Sequence, residues 1–139
     1  MKIDKNNRHV HFKDTMMEVL KMEVIETDEP TLEMRMPVDK FNTQTIGVLH
    51  GGATIALAET ASGLGSNLLC KDDEECFGIQ ISASHISSAK QGETVRAIAT
   101  PQHIGRTTHV WNVDVFSMTD DRLISTIKVT NFVKKKKAT

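Results

Sequence analysis

Residues 49–60 read LHGGATIALAET, and this stretch decides the fold because it predicts one long helix near the middle of the chain. A Gly-Gly pair follows His50, and apolar positions then continue on nearly every side of a helix from Gly51 to about Leu69. A helix that is apolar almost all round is buried on most of its sides. The charged run Lys71–Glu75 is expected to end this helix as a loop.

The same stretch carries a candidate reactive site. An ionised carboxylate is expensive to bury, so Glu59, set among alanines and leucine, is expected to be either functional or ion-paired, unless it lies at an exposed helix surface. Backbone N–H groups at a helix start have no partner in the helix and can receive an approaching oxygen. The Gly51-Gly52 pair is therefore a candidate oxyanion site, although glycines there can also serve close packing alone. An acid, a histidine and open amides are the parts of an acyl-transfer site.

The segments on either side of the helix predict strands. Before it, Lys21–Thr27 and Thr31–Val38 are expected to pair as a hairpin, and a short helix is expected within His11–Leu20. After it, alternating segments predict three or four long strands with turns at Gln91-Gly92, Gly105-Arg106 and Thr119–Asp121. The order of hairpin, long helix and antiparallel meander predicts an α+β fold with one helix packed against one sheet.

Length and composition narrow the class of protein. The 139 residues predict one domain spanning 1–139, with a peripheral N-terminal segment 1–20 and a peripheral basic tail 134–139, whose Lys134–Lys137 run is expected to be solvated. The net charge of -1 favours no nucleic-acid partner. No secretory signal or membrane-spanning stretch is recognised, so a cytoplasmic location is expected.

The two cysteines, Cys70 and Cys76, flank the acidic loop and show no zinc-ligand spacing, so no metal site is expected. Reduced thiols are the expectation for a chain without an export signal, although a disulfide stays open.

Three segments together carry a family resemblance. Gly47–Ala53, GVLHGGA, followed by Glu59, resembles the signature of hotdog-fold acyl-CoA thioesterases. Ser84–Gly92, SHISSAKQG, and His103–Trp111, HIGRTTHVW, are similar to the same branch, which contains the phenylacetate-pathway thioesterases and the glutamate-type 4-hydroxybenzoyl-CoA thioesterase. The resemblance covers residues 31–132. It implies a hotdog fold of one central helix wrapped by about five to six antiparallel strands, and a homodimer or homotetramer with the active site at the dimer interface.

The resemblance also implies roles for individual residues. Glu59 is expected to be the nucleophile or the general base, and the Gly51 N–H to stabilise the oxyanion. His50 is expected to orient the site and to bond the leaving sulfur or a catalytic water, and Gln44 to contact the thioester region or the nucleophile. A further set is expected to bind the substrate and its coenzyme A part: Gly52, Ser84, His85, Lys90, Gly105 and Arg106. The expected reaction is hydrolysis of an acyl-CoA or aryl-CoA to the free acid and CoA, with no metal or organic cofactor.

One departure from the family pattern concerns the water. Relatives often have Ser or Thr four residues after the glutamate, whereas this chain has Gly63. Thr60 and Ser62 are close in sequence but point in other directions on a helix, so the water-positioning residue is open among these three. The departure motivates an alternative function, a non-catalytic acyl-CoA-binding or ligand-binding hotdog protein. A hotdog dehydratase is a weaker alternative, since its usual histidine-plus-acid arrangement differs from the His50–Glu59 spacing.

Overall fold

A computed structural model describes residues 1–137 as one six-stranded antiparallel sheet with one long helix, which confirms the predicted fold class. The elements are, in chain order, a 3₁₀ turn at Arg8–Val10, α1 at Met16–Val19, β1 at Glu23–Ile25, β2 at Leu32–Pro37, α2 at Gly51–Leu69, β3 at Glu74–His85, β4 at Thr94–Ile104, β5 at Thr108–Ser117 and β6 at Leu123–Lys135. The hairpin, the central helix and all four later strands were predicted from the sequence.

The strand order in the sheet is β1-β2-β4-β5-β6-β3. The predicted meander therefore consists of β4, β5 and β6 alone, because β3 pairs with β6 at the far edge and not with β4, its successor in the chain. The two edges of the sheet are the three-residue strand β1 and the twelve-residue strand β3. Such a long edge strand offers unpaired backbone groups to another chain.

Small residues let α2 lie directly on the sheet. Leu57, Ala58, Ala61 and Gly65 face the sheet and are buried. A Cβ atom built on Gly65 would lie 2.5 Å from the indole ring of Trp111 on β5, so only glycine fits at this crossing. The inward residues of the strands, among them Met34, Val95, Val113, Ile127 and Val129, complete the core.

A β-bulge in β3 decides which of its residues face the helix. Gly78 pairs with Asn131, and Gln80 pairs with the next residue of β6, so Ile79 is the extra residue. Because side chains alternate between faces, a one-residue insertion reverses the alternation beyond it. Gly78 before the bulge and His85 after it therefore both face α2, although residues seven positions apart in a regular strand would lie on opposite faces. Ile79 is left exposed on the edge.

One expectation about the ends of elements was wrong. The loop predicted at 71–75 is shorter, because Glu74 and Glu75 already belong to β3. In the Lys134–Lys137 run, Lys134 and Lys135 end β6 opposite those two glutamates, and residues 135–137 are exposed, as expected of a solvated run. Opposite charges at facing positions of the two strands favour this pairing. Residues 138 and 139 of the predicted tail lie outside the described residues.

The side chains of Cys70 and Cys76 meet beside the end of α2, where the sequence left both reduced thiols and a disulfide open. The N-terminal segment is less peripheral than predicted, because Val10, Phe12 and Met17 pack against the core. Its helix is a single turn, α1, within the predicted His11–Leu20.

A buried polar cluster, hereafter the Ser66 cluster, lies under the second half of α2. The hydroxyl of Ser66 contacts His109 Nδ1 at 2.8 Å, Trp111 Nε1 at 2.8 Å and Asn131 Nδ2 at 2.9 Å, and all four residues are buried. Because the Trp111 and Asn131 nitrogens can only donate, the Ser66 hydroxyl accepts from both and donates its own proton to His109. His109 is therefore neutral, with its proton on Nε2.

We expect Ser66→Ala to lower the free energy of unfolding by about 2–4 kcal/mol, because it removes the acceptor of buried donors. Urea denaturation measures this effect. Ser62→Ala is the matched control, since Ser62 is equally buried on the same helix but returns its hydroxyl to the Glu59 carbonyl oxygen at 3.1 Å. Equal losses in the two variants would contradict a special role for the cluster.

Stability should also fall in mildly acidic solution. Burial lowers the pKa of His109 below 6.5, with His103 adding to the shift and Glu74 opposing it. The folded state thus prefers the neutral ring, so its contribution is complete above the unfolded pKa of about 6.5 and is lost as pH falls below that value. We expect a lower free energy of unfolding at pH 5 than at pH 7.5, measured by denaturation across this range.

His9 contributes to the same pH dependence, because burial, Arg8 and Lys136 lower its pKa as well. Substituting each histidine in turn distinguishes the two contributions. His109→Gln should flatten the dependence on pH more than His9→Gln does. An unchanged slope in His109→Gln would show that the Ser66 cluster does not sense pH.

Candidate active site

The N-terminus of α2 has one capped and one open amide. His50 is the N-cap residue, and its Nδ1 accepts a hydrogen bond of 2.8 Å from the Gly52 N–H. A Cβ on Gly52 would lie 2.9 Å from that ring nitrogen, so glycine allows the imidazole to fold back. Within residues 1–137 the Gly51 N–H has no hydrogen-bond acceptor. The sequence predicted two open amides here, and the structure leaves the first of them free.

A small cavity adjoins this open amide. Its volume is about 180 Å³, and its lining includes Gly51, Thr54, His85 and Ser125. The His85 ring lies over Gly51, with Nε2 2.6 Å from the position of a Cβ there, and its Nδ1 contacts the buried Ser125 hydroxyl at 2.7 Å. The helix dipole and the unpaired N–H make this end of the cavity favourable for a partial negative charge on an oxygen.

Glu59 lies two turns further along α2 and is exposed, which is the alternative to burial that the sequence left open. Its side chain extends over β3, where a Cβ on Gly78 would overlap the carboxylate. Glu59 escapes burial because β3 is the edge of the sheet and no further strand covers that side of the helix. Among the described residues, no lysine or arginine forms a salt bridge with it, so the ion-pair alternative is not realised in the single chain.

The two central groups are far apart within one chain. Eight residues separate Gly51 from Glu59, which corresponds to about 12 Å along a helix. An oxyanion donor must lie about 3 Å from the oxygen it stabilises. The Gly51 amide and the Glu59 carboxylate of one chain therefore cannot act on the same carbonyl group.

Gln44 lies in the loop that leads into α2. Its backbone N–H bonds to the Val48 carbonyl oxygen at 2.8 Å, and its side-chain oxygen accepts from the Ile46 N–H. The side-chain amide thus stabilises its own turn and does not line the cavity of the single chain.

The predicted coenzyme A residues divide into two groups. Ser84 and His85 are adjacent in β3, so their side chains lie on opposite faces, and only His85 reaches the cavity. Lys90 sits in a nearby turn that Glu93 fixes by accepting from the Lys90 N–H at 2.6 Å. That bond, with the Ser117 hydroxyl and Arg122, lowers the pKa of Glu93 to about 2.

Gly105 and Arg106 are in the β4–β5 turn at the other end of the sheet. The register places this turn beside the start of β3 near Phe77, whereas His85 ends that strand. Eight residues of strand separate the two ends by roughly 25 Å. One chain does not bring all the predicted coenzyme A residues together.

The three candidate water-positioning residues differ in their contacts. Thr60 donates its hydroxyl to the Ala56 carbonyl oxygen at 2.7 Å, and Ser62 is buried against the sheet. A Cβ on Gly63 would meet no atom of the described residues within 4 Å, apart from its own stretch of helix backbone. Glycine inside a helix costs about 0.5–1 kcal/mol relative to alanine, and at Gly63 no neighbour in the chain explains that cost.

Sequence reasoning missed two residues of this region. Gly78 makes room for the Glu59 carboxylate, and an isolated glycine within a strand pattern is a recognised sign of a bulge or a close approach. Ser125 orients His85, but nothing in its sequence surroundings marks it, since the contact joins residues 40 positions apart.

Within the described part of the chain, no group of three or more His, Cys, Asp or Glu side chains is placed to bind a metal ion. Over the same residues, no helix has both the length and the apolar character to cross a membrane.

Comparison with known proteins places these features in a family context. The sequence model of the thioesterase superfamily matches residues 46–124. The putative esterase ComA2 of Bacillus subtilis is 43% identical over 125 residues, which is 89% of this chain and 98% of that protein. The 1,4-dihydroxy-2-naphthoyl-CoA hydrolase of Escherichia coli is 38% identical over 88 residues, 63% of this chain and 64% of that protein.

The fold has a similar counterpart among solved structures. The crystal structure of the thioesterase HI1161 from Haemophilus influenzae aligns with a TM-score of 0.88 and 30% sequence identity, covering 97% of this chain and 93% of that one. The sheet wrapped around a central helix is therefore the hotdog fold.

Proposed function

The chain belongs to the thioesterase superfamily and is a thioester hydrolase, and from this premise we propose that it hydrolyses acyl-CoA thioesters with Glu59 and the Gly51 amide as its catalytic groups. One observation carries the proposal. The same helix presents an unpaired N–H at its positive end and an exposed carboxylate two turns later. These two groups supply what thioester hydrolysis requires, and the reaction we propose uses no metal or organic cofactor.

Each group has a defined task in this reaction. The Gly51 N–H and the helix dipole stabilise the negative charge that develops on the carbonyl oxygen when the thioester is attacked. Glu59 either attacks the carbonyl carbon itself or removes a proton from the attacking water. His50, as N-cap, holds the first turn in place, and His85 limits the space above Gly51.

A second copy of the chain resolves the separation of about 12 Å along the helix between these groups. Pairing of edge strand β3 with its own copy about a two-fold axis is antiparallel, so the start of one strand meets the end of the other. The Gly51 end of one chain then approaches the Glu59 region of its partner. The same pairing moves Arg106 of one chain towards Lys90 of the other, which reunites the two groups of proposed coenzyme A residues.

The leaving group we propose is coenzyme A. The similar Escherichia coli protein is named as a hydrolase of a CoA thioester, which supports this choice. Arg106 and Lys90 offer the cationic donors that phosphate groups bind. A cytoplasmic location, which the sequence favours, belongs to the same proposal.

Glu59→Gln should lower kcat for thioester hydrolysis by about 10²–10⁴-fold, the range typical for removal of a general base. The melting temperature should stay unchanged, because the side chain is exposed and forms no salt bridge. Thiol release from a panel of CoA esters measures the rate, with Glu23→Gln as a control for an exposed glutamate on β1. Retention of most of kcat in Glu59→Gln would exclude the mechanism, and absence of thiol release by the wild type together with CoA binding would favour a binding protein.

The shared site can be tested by mixing two inactive variants. Gly51→Pro removes the N–H at the first helical position, where proline is well tolerated, and Gly51→Ala is the matched control that adds a Cβ near His85 but keeps the donor. Gly51→Pro should be slower than Gly51→Ala by about 10²–10³-fold.

When Glu59→Gln and Gly51→Pro chains are unfolded together and refolded, half of the dimers should be mixed, and each mixed dimer should contain one intact site. Activity should therefore return to about a quarter of the wild-type value if the site joins two chains across a two-fold axis. No recovery, with mixed dimers verified by mass spectrometry, would assign each site to one chain.

A further inference from the structure

Gly63 differs from the other glycines of α2. A Cβ on Gly51, Gly52 or Gly65 would lie within 3 Å of the side chain of His85, His50 or Trp111, so a neighbour in the chain already occupies the space at those positions. At Gly63 the space is open among the described residues. Because glycine weakens a helix interior and no neighbour in the chain requires it here, Gly63 is a candidate position for contact with a group from outside the chain.

The open space at Gly63 belongs to a pocket between α2 and the N-terminal segment. The pocket has a volume of about 180 Å³ and is lined by His9, Phe12, Met17, Thr60, Gly63, Leu64 and Asn67. Gly63 follows Glu59 by four residues, so both lie on the same side of the helix, one turn apart. The pocket therefore starts within one helical turn, about 5.4 Å, of the residue that bears the proposed catalytic carboxylate.

The polar side chains in the wall offer few free polar atoms to this pocket. The Thr60 hydroxyl is used by the Ala56 carbonyl oxygen at 2.7 Å. The Asn67 amide donates to the carbonyl oxygens of Gly63 and Cys76 at 2.9 and 3.0 Å and accepts from the Cys76 N–H at 2.9 Å. Burial and Arg8 lower the pKa of His9, which favours the neutral form of its ring. With Phe12, Met17 and Leu64 the remaining surface is mainly apolar.

We propose that this pocket binds the acyl group of the substrate, that Gly63 sets its depth, and that Phe12 and Met17 of the N-terminal segment form its outer wall. The proposal rests on the proposed thioesterase function and adds the size and chemistry of the acyl group. A cavity of about 150 Å³ with apolar walls accepts one benzene molecule. The pocket of about 180 Å³ therefore has room for a compact apolar acyl group of about the size of one six-membered ring.

Two substitutions at Gly63 distinguish the effect of lost pocket volume from the effect of an added hydrogen-bonding group. Gly63→Ala fills the pocket with a methyl group, and Gly63→Ser adds a hydroxyl at the place where relatives are expected to hold the water. Both should reduce kcat/KM for benzoyl-CoA by about tenfold or more, as expected for one extra methyl group in a fitted pocket, while acetyl-CoA changes by less than about threefold. Gly63→Ala should at the same time raise the melting temperature by about 2–4 °C, because it improves helix propensity.

Other results at Gly63 would overturn the proposal. An equal fall for both substrates would assign Gly63 to catalysis and not to acyl selection. Recovery of the rate in Gly63→Ser but not in Gly63→Ala would assign the position to the water. A change from dimer to monomer in Gly63→Ala, measured by light scattering, would assign the open space to contact with a second copy.

The outer wall is tested by Phe12→Ala, which should widen the pocket and raise the ratio of kcat/KM for a larger acyl group, such as naphthoyl-CoA, over benzoyl-CoA. Phe116→Ala is the matched control, since Phe116 lies on the outer face of β5, away from the helix, and contacts Arg96. An equal ratio in Phe12→Ala and wild type would exclude the N-terminal segment from the substrate site.

A binding measurement distinguishes failure of the pocket from failure of the thioesterase proposal. Benzoate is titrated into the wild type and into Gly63→Ala, with NMR shifts of residues 12 and 63 as the readout. Absence of hydrolysis of every thioester, with benzoate bound by wild type and not by Gly63→Ala, would overturn the proposed function and leave the pocket in place. Hydrolysis with no shift at these residues, or with equal shifts in the two proteins, would overturn the pocket alone.

Discussion

The crossing of Gly65 over Trp111 is the constraint on which the rest of the structure depends. With no Cβ at this point, α2 rests on the indole ring of β5, and the ring in turn donates to Ser66 one residue further along the helix. The crossing therefore sets both the height of the helix above the sheet and its rotation. That rotation directs Leu57, Ala58 and Ala61 into the core, and it leaves Glu59 on the side of the helix that faces the sheet edge.

The bulge in β3 determines which side chains of this edge strand face α2. A regular strand would turn either Gly78 or His85 away from α2, because residues separated by an odd number lie on opposite faces. With Ile79 inserted, one strand provides the glycine that makes room for the Glu59 carboxylate and the histidine that covers Gly51. The two ends of the proposed site are thereby related by a single irregularity in one edge strand.

Local sequence patterns predicted the fold well and the site in part. The helix from Gly51 to Leu69 was predicted to the residue at its start because apolar periodicity and a Gly-Gly pair are local signals. The place of β3 in the sheet was not predicted, since pairing with β6 depends on contacts between distant residues. The sequence left burial or exposure of Glu59 open, because exposure also depends on which strands cover a helix, and the edge position of β3 is a property of topology. The Ser66 cluster was not predicted for a similar reason. Ser66, His109 and Asn131 lie on α2, β5 and β6, and they form hydrogen bonds only when these three elements pack together.

The separation of Gly51 and Glu59 has a physical rationale in the proposed mechanism. A glutamate in the first turn of a helix binds the free N–H groups there, as in a capping box, and is stabilised by the positive end of the dipole. Such a carboxylate would occupy the oxyanion site and would be a weaker base and nucleophile for the same reason. The eight-residue separation along the helix keeps the Glu59 carboxylate from binding the Gly51 amide of its own chain. Assembly of two copies would then bring one chain's acid to the other chain's amide with the substrate between them, so that neither group is neutralised by the other before the thioester binds.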